Sequence, residues 1–400
     1  MKLMQTTFAH GNGPYSRCLE WAISVNDELE KQTGKRLPIV LPLVYPGRQE
    51  RIMKEEIDSK YPSFTTDHPN EIWLDRTQGE LLHKLMFKSQ SYEENLDFLI
   101  SEYENIENQM HTHLDGKRVL ENFLTREMQV FDLRDIEFQL GLNNRVQTPI
   151  PIQYYTAGGA GPFDEILERA IKDPEVKLDK DVMKRAIPIA KRMIENQKII
   201  FSNDPGVFSY DGSRILGDNE VLTPPFVHPP KQDNTSLPGK GIYFLMTGID
   251  GVREGGMYDS IKKLGMQIYA PGFSINNLPE NIRETAIALE PSKINNPSIL
   301  AQYSRAGWSS VWLAHMAEKG FLSPRHDDKD DPEILFNLRG IEKLGLGAII
   351  NSNPMASLQR AIELSKTTRQ YNQGLVEKYG TIDGIRFSAE KVVSDLVSLS

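Results

Sequence analysis

The 400-residue sequence contains a single cysteine, Cys18. One thiol cannot form an intramolecular disulfide, and no spacing of cysteine and histidine in the chain is typical of a structural zinc site. Chains with so little cysteine are usual in reducing compartments. We therefore expect a cytoplasmic protein without disulfides.

Long apolar runs are also lacking. No window approaches the roughly 18 consecutive apolar residues that a membrane-spanning helix needs. The first apolar stretch breaks at Gly11, which is too early for the core of a signal peptide. The sequence predicts no transmembrane segment and no export by that route, and it leaves only peripheral membrane contact open.

An excess of positive charge is absent too. The chain has 46 basic and 55 acidic residues, a net charge of −9, which argues against a nucleic-acid partner and gives no general attraction to anionic lipid. A hydrophobic content of 39 % is ordinary for a globular protein, and 400 residues exceed what one core usually supports. We expect two domains.

The first part of the chain shows an α/β pattern. A short strand ending near His10 precedes a glycine turn and a helix, and the apolar run from Leu37 to Val44 is typical of a strand buried on both faces. Glu- and Leu-rich residues at about 71–145 predict a helical excursion. Tyr154 and Tyr155 lie in a second strand, glycine turn and helix, and strand and helix thus alternate.

Five prolines between residues 224 and 238 predict a linker. The predicted domains are 1–222 on the amino side and 241–400 on the carboxyl side, with the linker at 223–240. After the linker the pattern predicts strands at 241–248, 267–272 and 347–350. It predicts helices at 297–305, 309–319 and 333–344.

Two stretches contain residues suited to chemistry. In the first, His10, Gly11, Asn12 and Gly13 follow the first strand, where glycines let a ligand approach the backbone and the next helix start attracts negative charge. A dinucleotide site there is disfavoured, because the third glycine position is Ser16 and the second strand ends without an acidic residue. A plain tight turn and a buried core histidine remain alternatives to a ligand site with His10 as general base.

The second stretch begins at Gly307, Trp308, Ser309 and Ser310, where a helix start offers free amides and hydroxyls to an anion. About twenty residues later, carboxylates near Asp331 can accept hydrogen bonds from sugar hydroxyls.

This second stretch resembles the donor-binding half of GT-B glycosyltransferases. The resemblance rests on Gly307-Trp308-Ser309-Ser310, then Pro324, then Asp330-Asp331-Pro332-Glu333 and Asn337, then Ile341 to Gly347. It is strongest over 241–350, and the two-part layout extends it to the whole chain. It implies an α/β fold of two Rossmann-like doubly wound domains facing a cleft, with a carboxyl-terminal helix that crosses back to the first domain.

The resemblance also implies roles for individual residues. The donor would be a nucleoside-diphosphate sugar, bound mainly by the carboxyl-terminal domain, while the amino-terminal domain takes an unidentified small-molecule, glycan or lipid acceptor. His10 would deprotonate the acceptor. The residues implied in donor binding are Gly11, Asn12, Gly13, Thr247, Gly248, Arg305, Gly307, Trp308, Ser309, Ser310, Asp331 and Glu333.

The sequence departs from the family pattern at two positions. Arg305 stands where a histidine is usual, and Leu313 stands where a ribose-binding glutamate is usual. Arg305 can pair with phosphate. The glutamate pair of many retaining relatives is absent after Gly307, which favours inversion of the anomeric configuration.

Three acidic or histidine clusters are alternative metal sites, and the residues argue against each of them. Asp179-Lys180-Asp181 is typical of a helix start, and Asp328-Lys329-Asp330 lies in the donor loop. His111 and His113 are two apart, on different faces of a helix. We expect no metal and no cofactor besides the donor substrate.

A glycosyltransferase is therefore the favoured function. The alternatives are a nucleotide-sugar epimerase or phosphorylase-like enzyme on the same fold, and a non-catalytic nucleotide-sugar-binding protein.

Overall fold

The computed structural model describes residues 2–8, 12–85, 91–142, 153–158, 162–245 and 255–398. Contacts between Cα atoms divide the chain into two compact units. Unit 1 comprises 1–203, 215–223 and 385–400, and unit 2 comprises 204–214 and 224–384. No helix in these described ranges is both long enough and apolar enough to span a membrane.

In the described residues, unit 1 is built on a nine-stranded sheet whose strand order is β5-β4-β3-β2-β1-β6-β7-β8-β9. All neighbours from β3 to β9 pair in parallel, whereas β4 pairs antiparallel with both β3 and β5. The strands are β1 (Leu3–Phe8), β2 (Ile39–Pro42), β3 (Ile72–Asp75), β4 (Arg118–Asn122), β5 (Met128–Phe131), β6 (Ile136–Leu142), β7 (Gln153–Gly158), β8 (Ile199–Asn203) and β9 (Glu220–Thr223).

The helices of unit 1 connect these strands in the manner of a doubly wound sheet. The order runs outward from β1 in one direction through β2 and β3 and then in the other through β6 to β9. The helices are α1 (Asn12–Thr33), α2 (Arg48–Lys60), α3 (Phe64–Asp67), α4 (Arg76–Lys84), α5 (Tyr92–Asp115), α6 (Phe163–Lys172) and α7 (Lys180–Ile194).

Unit 2 repeats this winding on a six-stranded sheet in which every described pair is parallel. The order is β12-β11-β10-β13-β14-β15, so the winding reverses between β10 and β13. The strands are β10 (Gly241–Phe244), β11 (Gln267–Ala270), β12 (Ile287–Ala288), β13 (Ile299–Tyr303), β14 (Gly320–Ser323) and β15 (Ala348–Ile349). The helices are α8 (Gly255–Lys263), α9 (Gly272–Ile275), α10 (Glu280–Arg283), α11 (Trp308–Met316), α12 (Pro332–Leu344) and α13 (Pro354–Tyr379).

Alternate residues of β10 pack into two different apolar clusters. Ile242 and Phe244 join a cluster with α8 and α13, and Tyr243 joins one with Ile294 and Ala317. The sheet of unit 2 is therefore covered on both faces, as expected for parallel strands.

The last helix, α14 (Gly384–Ser398), packs with unit 1. Its Asp395 carboxylate accepts a hydrogen bond of 2.7 Å from the Tyr155 hydroxyl on β7. The crossing of the terminal helix back to the first domain is confirmed.

The two units differ from the predicted domain ranges in three places. Residues 204–214 and the Pro-rich segment from residue 224 onward pack with unit 2, whereas residues 385–400 pack with unit 1. The Asn296 amide donates to the Asp233 carboxylate at 2.9 Å and to the Thr235 carbonyl at 2.8 Å, which fixes the Pro-rich segment. The Trp312 indole donates to the Pro205 carbonyl at 2.9 Å, which anchors the other segment.

Two predictions about elements were wrong. The helical excursion at about 71–145 contains helices α4 and α5, but also β3, the β4–β5 hairpin and β6. The helix predicted at 297–305 is strand β13. Both errors concern runs of four to seven residues, for which strand and helix periods are hard to tell apart.

Candidate functional site

The residues of the second sequence motif meet at the carboxyl ends of β13 and β14. These strands are neighbours in the sheet of unit 2, and β13 lies at the point where the winding reverses. Ligands of open parallel sheets bind at the carboxyl ends beside such a point. The loop at 304–307 leaves β13, and the loop at 324–331 leaves β14.

The first part of the site is the start of α11. Gly307 is the N-cap residue, and its carbonyl accepts the first helical hydrogen bonds from the Ser310 amide at 2.9 Å and the Val311 amide at 3.1 Å. The amides of Trp308 and Ser309 precede these bonds, and amides at this position are suited to an anion. In the described structure, a Cβ atom added at Gly307 meets no heavy atom within 4 Å. Among the described residues, the space beside this helix start is therefore open.

The two tryptophans of α11 face inward. Trp308 is buried, and its ring stacks on Trp312 with centroids 5.7 Å apart. Because the ring is buried, Trp308 anchors the helix start, and any contact with an anion falls to its backbone amide. Ser309 is half-buried and Ser310 is buried.

Arg305 is hydrogen-bonded to Asp330 in the 324–331 loop. Its Nε donates to Asp330 Oδ2 at 2.8 Å, and its Nη2 donates to Asp330 Oδ1. Burial opposes the charge on Arg305, but the Asp330 carboxylate outweighs it and raises the pKa of the guanidinium. Arg305 is thus a permanent cation that links the two loops, with part of its charge already neutralised.

Asp331 and Glu333 begin α12. Asp331 is its N-cap residue, and Oδ1 accepts from the Glu333 amide at 2.9 Å. Burial, and next the Glu333 carboxylate, raise the pKa of Asp331. The Asp331 side chain therefore stabilises the helix start and is held in place by it.

Asn337 joins the two halves of the site. Its Nδ2 donates to the Ala306 carbonyl at 2.8 Å and to Glu333 Oε1 at 3.2 Å, and the residue is fully buried. On the other side of the loop, Gln302 Nε2 donates to the Ser310 carbonyl at 2.9 Å. These amides fix the 304–307 loop against α11 and α12.

Buried polar atoms without a hydrogen-bond partner lie on the same elements. Within the described ranges they include Gln302 Oε1, Trp308 Nε1, Ser323 Oγ and Asn337 Oδ1. Such atoms are rare in folded proteins unless water or a ligand satisfies them. The sequence analysis did not identify Gln302. A polar glutamine inside the apolar run Ile299–Tyr303 could have indicated a buried hydrogen-bonding role.

Part of the predicted site lies elsewhere. His10, Gly11, Thr247 and Gly248 fall outside the described residues. Asn12 and Gly13 open helix α1 in unit 1. The structure therefore brings together the predicted residues from Arg305 to Ser310 and those from Asp331 to Glu333.

The alternative metal clusters do not assemble in the described structure, where no group of three or more potential metal ligands is found. Asp179 caps α7 by accepting from the Asp181 amide at 2.7 Å. His113 Nε2 lies 2.9 Å from both carboxylate oxygens of Asp75, which also accepts from Arg118. Arg118 is fully buried, and this Asp75 network is a feature of unit 1 that the sequence analysis missed.

The comparisons with known proteins agree with this architecture. No family model and no curated protein matches the sequence. Solved structures do match over the whole chain. LpCGTa in complex with UDP has a TM-score of 0.61 at 12 % identity, covering 99 % of this chain and 100 % of that one.

Two further structures show the same fold. Phytolacca americana UGT2, complexed with UDP-2-fluoro-glucose and pterostilbene, has a TM-score of 0.58 at 9 % identity and covers 100 % of this chain and 99 % of that one. The glycosyltransferase SnogD from Streptomyces nogalater has a TM-score of 0.57 at 8 % identity and covers 99 % and 100 %. The predicted α/β fold with two Rossmann-like units, the GT-B fold, is confirmed.

Proposed function

We propose that the chain is an inverting glycosyltransferase that moves a sugar from a nucleoside-diphosphate sugar to an acceptor hydroxyl. The observation that carries the proposal is the start of α11. It combines first-turn amides, open space at Gly307 and a position at the carboxyl end of β13. The fold is that of proteins solved with UDP or a UDP-sugar.

The donor side of the mechanism uses the helix start. Transfer breaks the bond between the anomeric carbon and the diphosphate oxygen, and the leaving diphosphate takes the electron pair. Preorganised amides of Trp308 and Ser309, together with the α11 dipole, stabilise that charge. We therefore write the reaction without a metal, and we expect a chelator to leave activity unchanged.

The acceptor side uses His10 as general base. It accepts the proton of the acceptor hydroxyl while the oxygen bonds to the anomeric carbon on the face opposite the diphosphate. A general base of this kind contributes roughly 10²–10⁴-fold to the rate. Asn12, Gly13, Thr247 and Gly248 complete the proposed site, and the acceptor is a small molecule, a glycan or a lipid.

The first experiment is a thermal-shift screen of the purified protein against UDP, GDP, dTDP, ADP and CMP with their sugar conjugates. A ligand that binds the native state raises Tm. We expect one nucleotide series to raise Tm, and the double variant S309A/S310A to reduce that shift. S59A, a change of an exposed serine on α2 in unit 1, is the matched control. If no nucleotide raises Tm, the donor site is refuted.

The second experiment separates catalysis from binding. H10A should lose transfer by about 10²-fold or more while its Tm shift with the donor stays that of the parent. Unchanged turnover in H10A would remove His10 from the mechanism and leave the donor site intact.

A non-catalytic nucleotide-sugar-binding protein is the second candidate. The observation behind it is Leu313, which packs against an apolar cluster where a ribose-binding carboxylate was expected. Slow release of nucleoside diphosphate from the donor without acceptor indicates a competent transferase. A Tm shift without any release favours the binding protein. The lone, buried Cys18 supports a cytoplasmic location for either.

A further inference from the structure

The segment 204–214 lies against the helices that carry the proposed donor site. It leaves the sheet of unit 1 after β8 and precedes β9, yet it packs with unit 2. The residues from Pro205 to Phe208 are buried, and the Gly206 carbonyl accepts from the Ser209 amide at 3.1 Å. The segment is therefore a packed part of unit 2 and not a loose connection.

Asp204 fixes the beginning of this segment to α13. Its Oδ1 accepts from the Tyr371 hydroxyl at 2.6 Å. Its Oδ2 accepts from Lys378 at 2.9 Å and from the Tyr379 hydroxyl at 3.1 Å. Hydrogen bonds to a charged acceptor are stronger than those between neutral groups. Because Pro205 follows directly, its carbonyl group is held in place in unit 2.

The first turn of α11 depends on tertiary contacts for its position. A helix of nine residues is marginally stable on its own. Among the described side chains, none caps the start of this helix, whose N-cap residue is Gly307. One tertiary contact comes from Gln302, which donates to the Ser310 carbonyl. Another comes from Trp312, whose indole Nε1 donates to the Pro205 carbonyl at 2.9 Å.

Trp312 connects the 204–214 segment to the start of α11. Trp308 and Trp312 lie four residues apart, on the same face of the helix, and their rings stack with centroids 5.7 Å apart. Both side chains are buried. Trp308 is the first residue of α11, so a displacement of its ring also displaces the backbone amides of Trp308 and Ser309.

The same segment also contacts α12, which forms the other side of the proposed site. The centroids of the Phe208 and Phe336 rings are 5.9 Å apart. A Cβ atom added at Gly340 would lie 3.1 Å from Tyr210 Cδ1, so the segment and the helix are in close contact. Phe336 directly precedes Asn337, which fixes the loop before α11. The segment therefore packs on both helices whose starts form the proposed site.

We propose that Trp312 is a positioning residue of the donor site and that the 204–214 segment is its anchor. Hydrogen-bonded to Pro205 and stacked on Trp308, it keeps the first-turn amides of α11 in the orientation that binds a diphosphate. Donors that are already ordered bind an anion more tightly, because binding then costs less conformational entropy. This inference rests on the proposed function. Trp312 acts through Trp308 and not by contact with the donor.

Calorimetric titration of the full chain with uridine and with UDP, or with the corresponding pair of the nucleotide series that raises Tm, tests this role. W312F deletes the indole N–H and keeps a ring beside Trp308. The ratio of diphosphate affinity to nucleoside affinity should fall at least about threefold, because one hydrogen bond is worth roughly 2–10-fold. Nucleoside affinity should stay that of the parent. A purely structural role of Trp312 would lower Tm and leave the ratio unchanged.

Y269F is the matched control. Tyr269 on β11 is also buried, and its hydroxyl donates to the Gly239 carbonyl. Y269F therefore also deletes one hydrogen-bond donor of a buried residue and keeps a ring. It should lower Tm about as much as W312F does and keep the full affinity ratio. An equal fall of the ratio in both variants overturns the proposal.

D204A tests the anchor and leaves the Trp312 side chain unchanged. It removes the carboxylate that accepts from three side chains of α13, so the Pro205 carbonyl is no longer held in place. The affinity ratio should again fall at least about threefold. D204A also decides the question if W312F does not fold.

Two results distinguish this inference from the proposed function. An unchanged affinity ratio in folded W312F, or in D204A, overturns the positioning role and leaves the donor site intact. Equal affinity of the parent for nucleoside and diphosphate refutes the donor site itself, and this inference with it.

Discussion

At the residue scale, the candidate site depends on side chains that hold a loop in place. The loop at 304–307 is held by Asn337 through the Ala306 carbonyl and by Asp330 through Arg305. None of these partners is near the loop in sequence. The conformation of the loop is thus fixed before a ligand binds, and it depends on α12 as much as on α11.

The first prediction concerns Asn337. N337A removes the bonds to Ala306 and Glu333, and we expect a loss of about 1–3 kcal/mol in the free energy of unfolding. It should also reduce the Tm shift given by the nucleotide that stabilises the parent, because the loop is no longer fixed. Urea denaturation and thermal shift measure the two effects.

The matched control is N372A. Asn372 is also buried, and it donates to the His315 carbonyl at 2.9 Å from α13. It should lose similar stability and keep the full ligand shift. Equal ligand shifts in N337A and N372A would show that Asn337 does not shape the site.

The second prediction concerns His315, which is buried on α11 beside the Tyr371 ring. Burial lowers its pKa to about 4, although the Asp204 carboxylate acts in the opposite direction. The unfolded chain has the ordinary value near 6.5 and binds the proton first as pH falls. The free energy of unfolding therefore decreases as pH falls from about 6.5 to about 4, by about 2 kcal/mol at pH 5.

H315F retains a ring without a titrating group. Its stability relative to the wild-type protein should therefore improve by about 2 kcal/mol between pH 7.5 and pH 5. Urea denaturation at the two pH values measures this difference. If the free energy of unfolding of H315F and that of the wild-type protein change equally between these pH values, His315 is not a neutral, buried group.

Sequence reasoning reached the residue types of the site but not their partners. Gly307, Ser309 and Asp331 follow from local pattern, because helix starts have a chemical signature. The pairing of Arg305 with Asp330 depends on the parallel alignment of β13 with β14, which no local pattern encodes. For that reason the sequence analysis did not foresee the Arg305–Asp330 pair, and a contact between Arg305 and phosphate stays a prediction.

At the scale of elements, short strands were the hardest to predict. Ile299–Tyr303 reads equally well as a helix turn, yet it is strand β13 because it pairs with β10 and β14. Longer elements such as α12 were predicted nearly to the residue, because Asp331 caps its start and Gly345 ends it at φ 67°. An element can therefore be predicted from local sequence when it is long and when cap residues mark its ends.

The third prediction concerns the packing of β14 on α13. A Cβ atom added at Gly320 would lie 2.1 Å from the Ala361 carbonyl oxygen, so G320A must displace backbone. We expect a loss of about 1–3 kcal/mol in the free energy of unfolding, measured by urea denaturation.

G374A is the control for that substitution. Gly374 lies inside α13 with open space around its Cα atom, and alanine should stabilise the helix by about 0.4–1 kcal/mol. An unchanged free energy of unfolding in G320A would show that β14 and α13 do not pack this closely.

At the scale of the whole molecule, the sequence predicted two Rossmann-like units but not their limits. Asp204 joins unit 2 because its carboxylate accepts from the Tyr371 hydroxyl at 2.6 Å and from Lys378 at 2.9 Å, both on α13. These contacts span more than 160 residues of sequence. The placement of residues 204–214 in unit 2 therefore depends on tertiary contacts, which leave no local pattern in the sequence.

The proposed donor site requires that the α11 start bind a diphosphate. Calorimetric titration with uridine, UMP and UDP, or with the matching series of the nucleotide found by thermal shift, measures this binding. The parent should bind the diphosphate at least about tenfold more tightly than the nucleoside, because amides and helix dipole act on the phosphates. G307V, whose backbone φ of −76° suits valine, should lose that difference, whereas G212V in an exposed turn should keep it. Equal affinity for nucleoside and diphosphate, or a diphosphate preference that survives in G307V, would show that the α11 start does not bind the diphosphate.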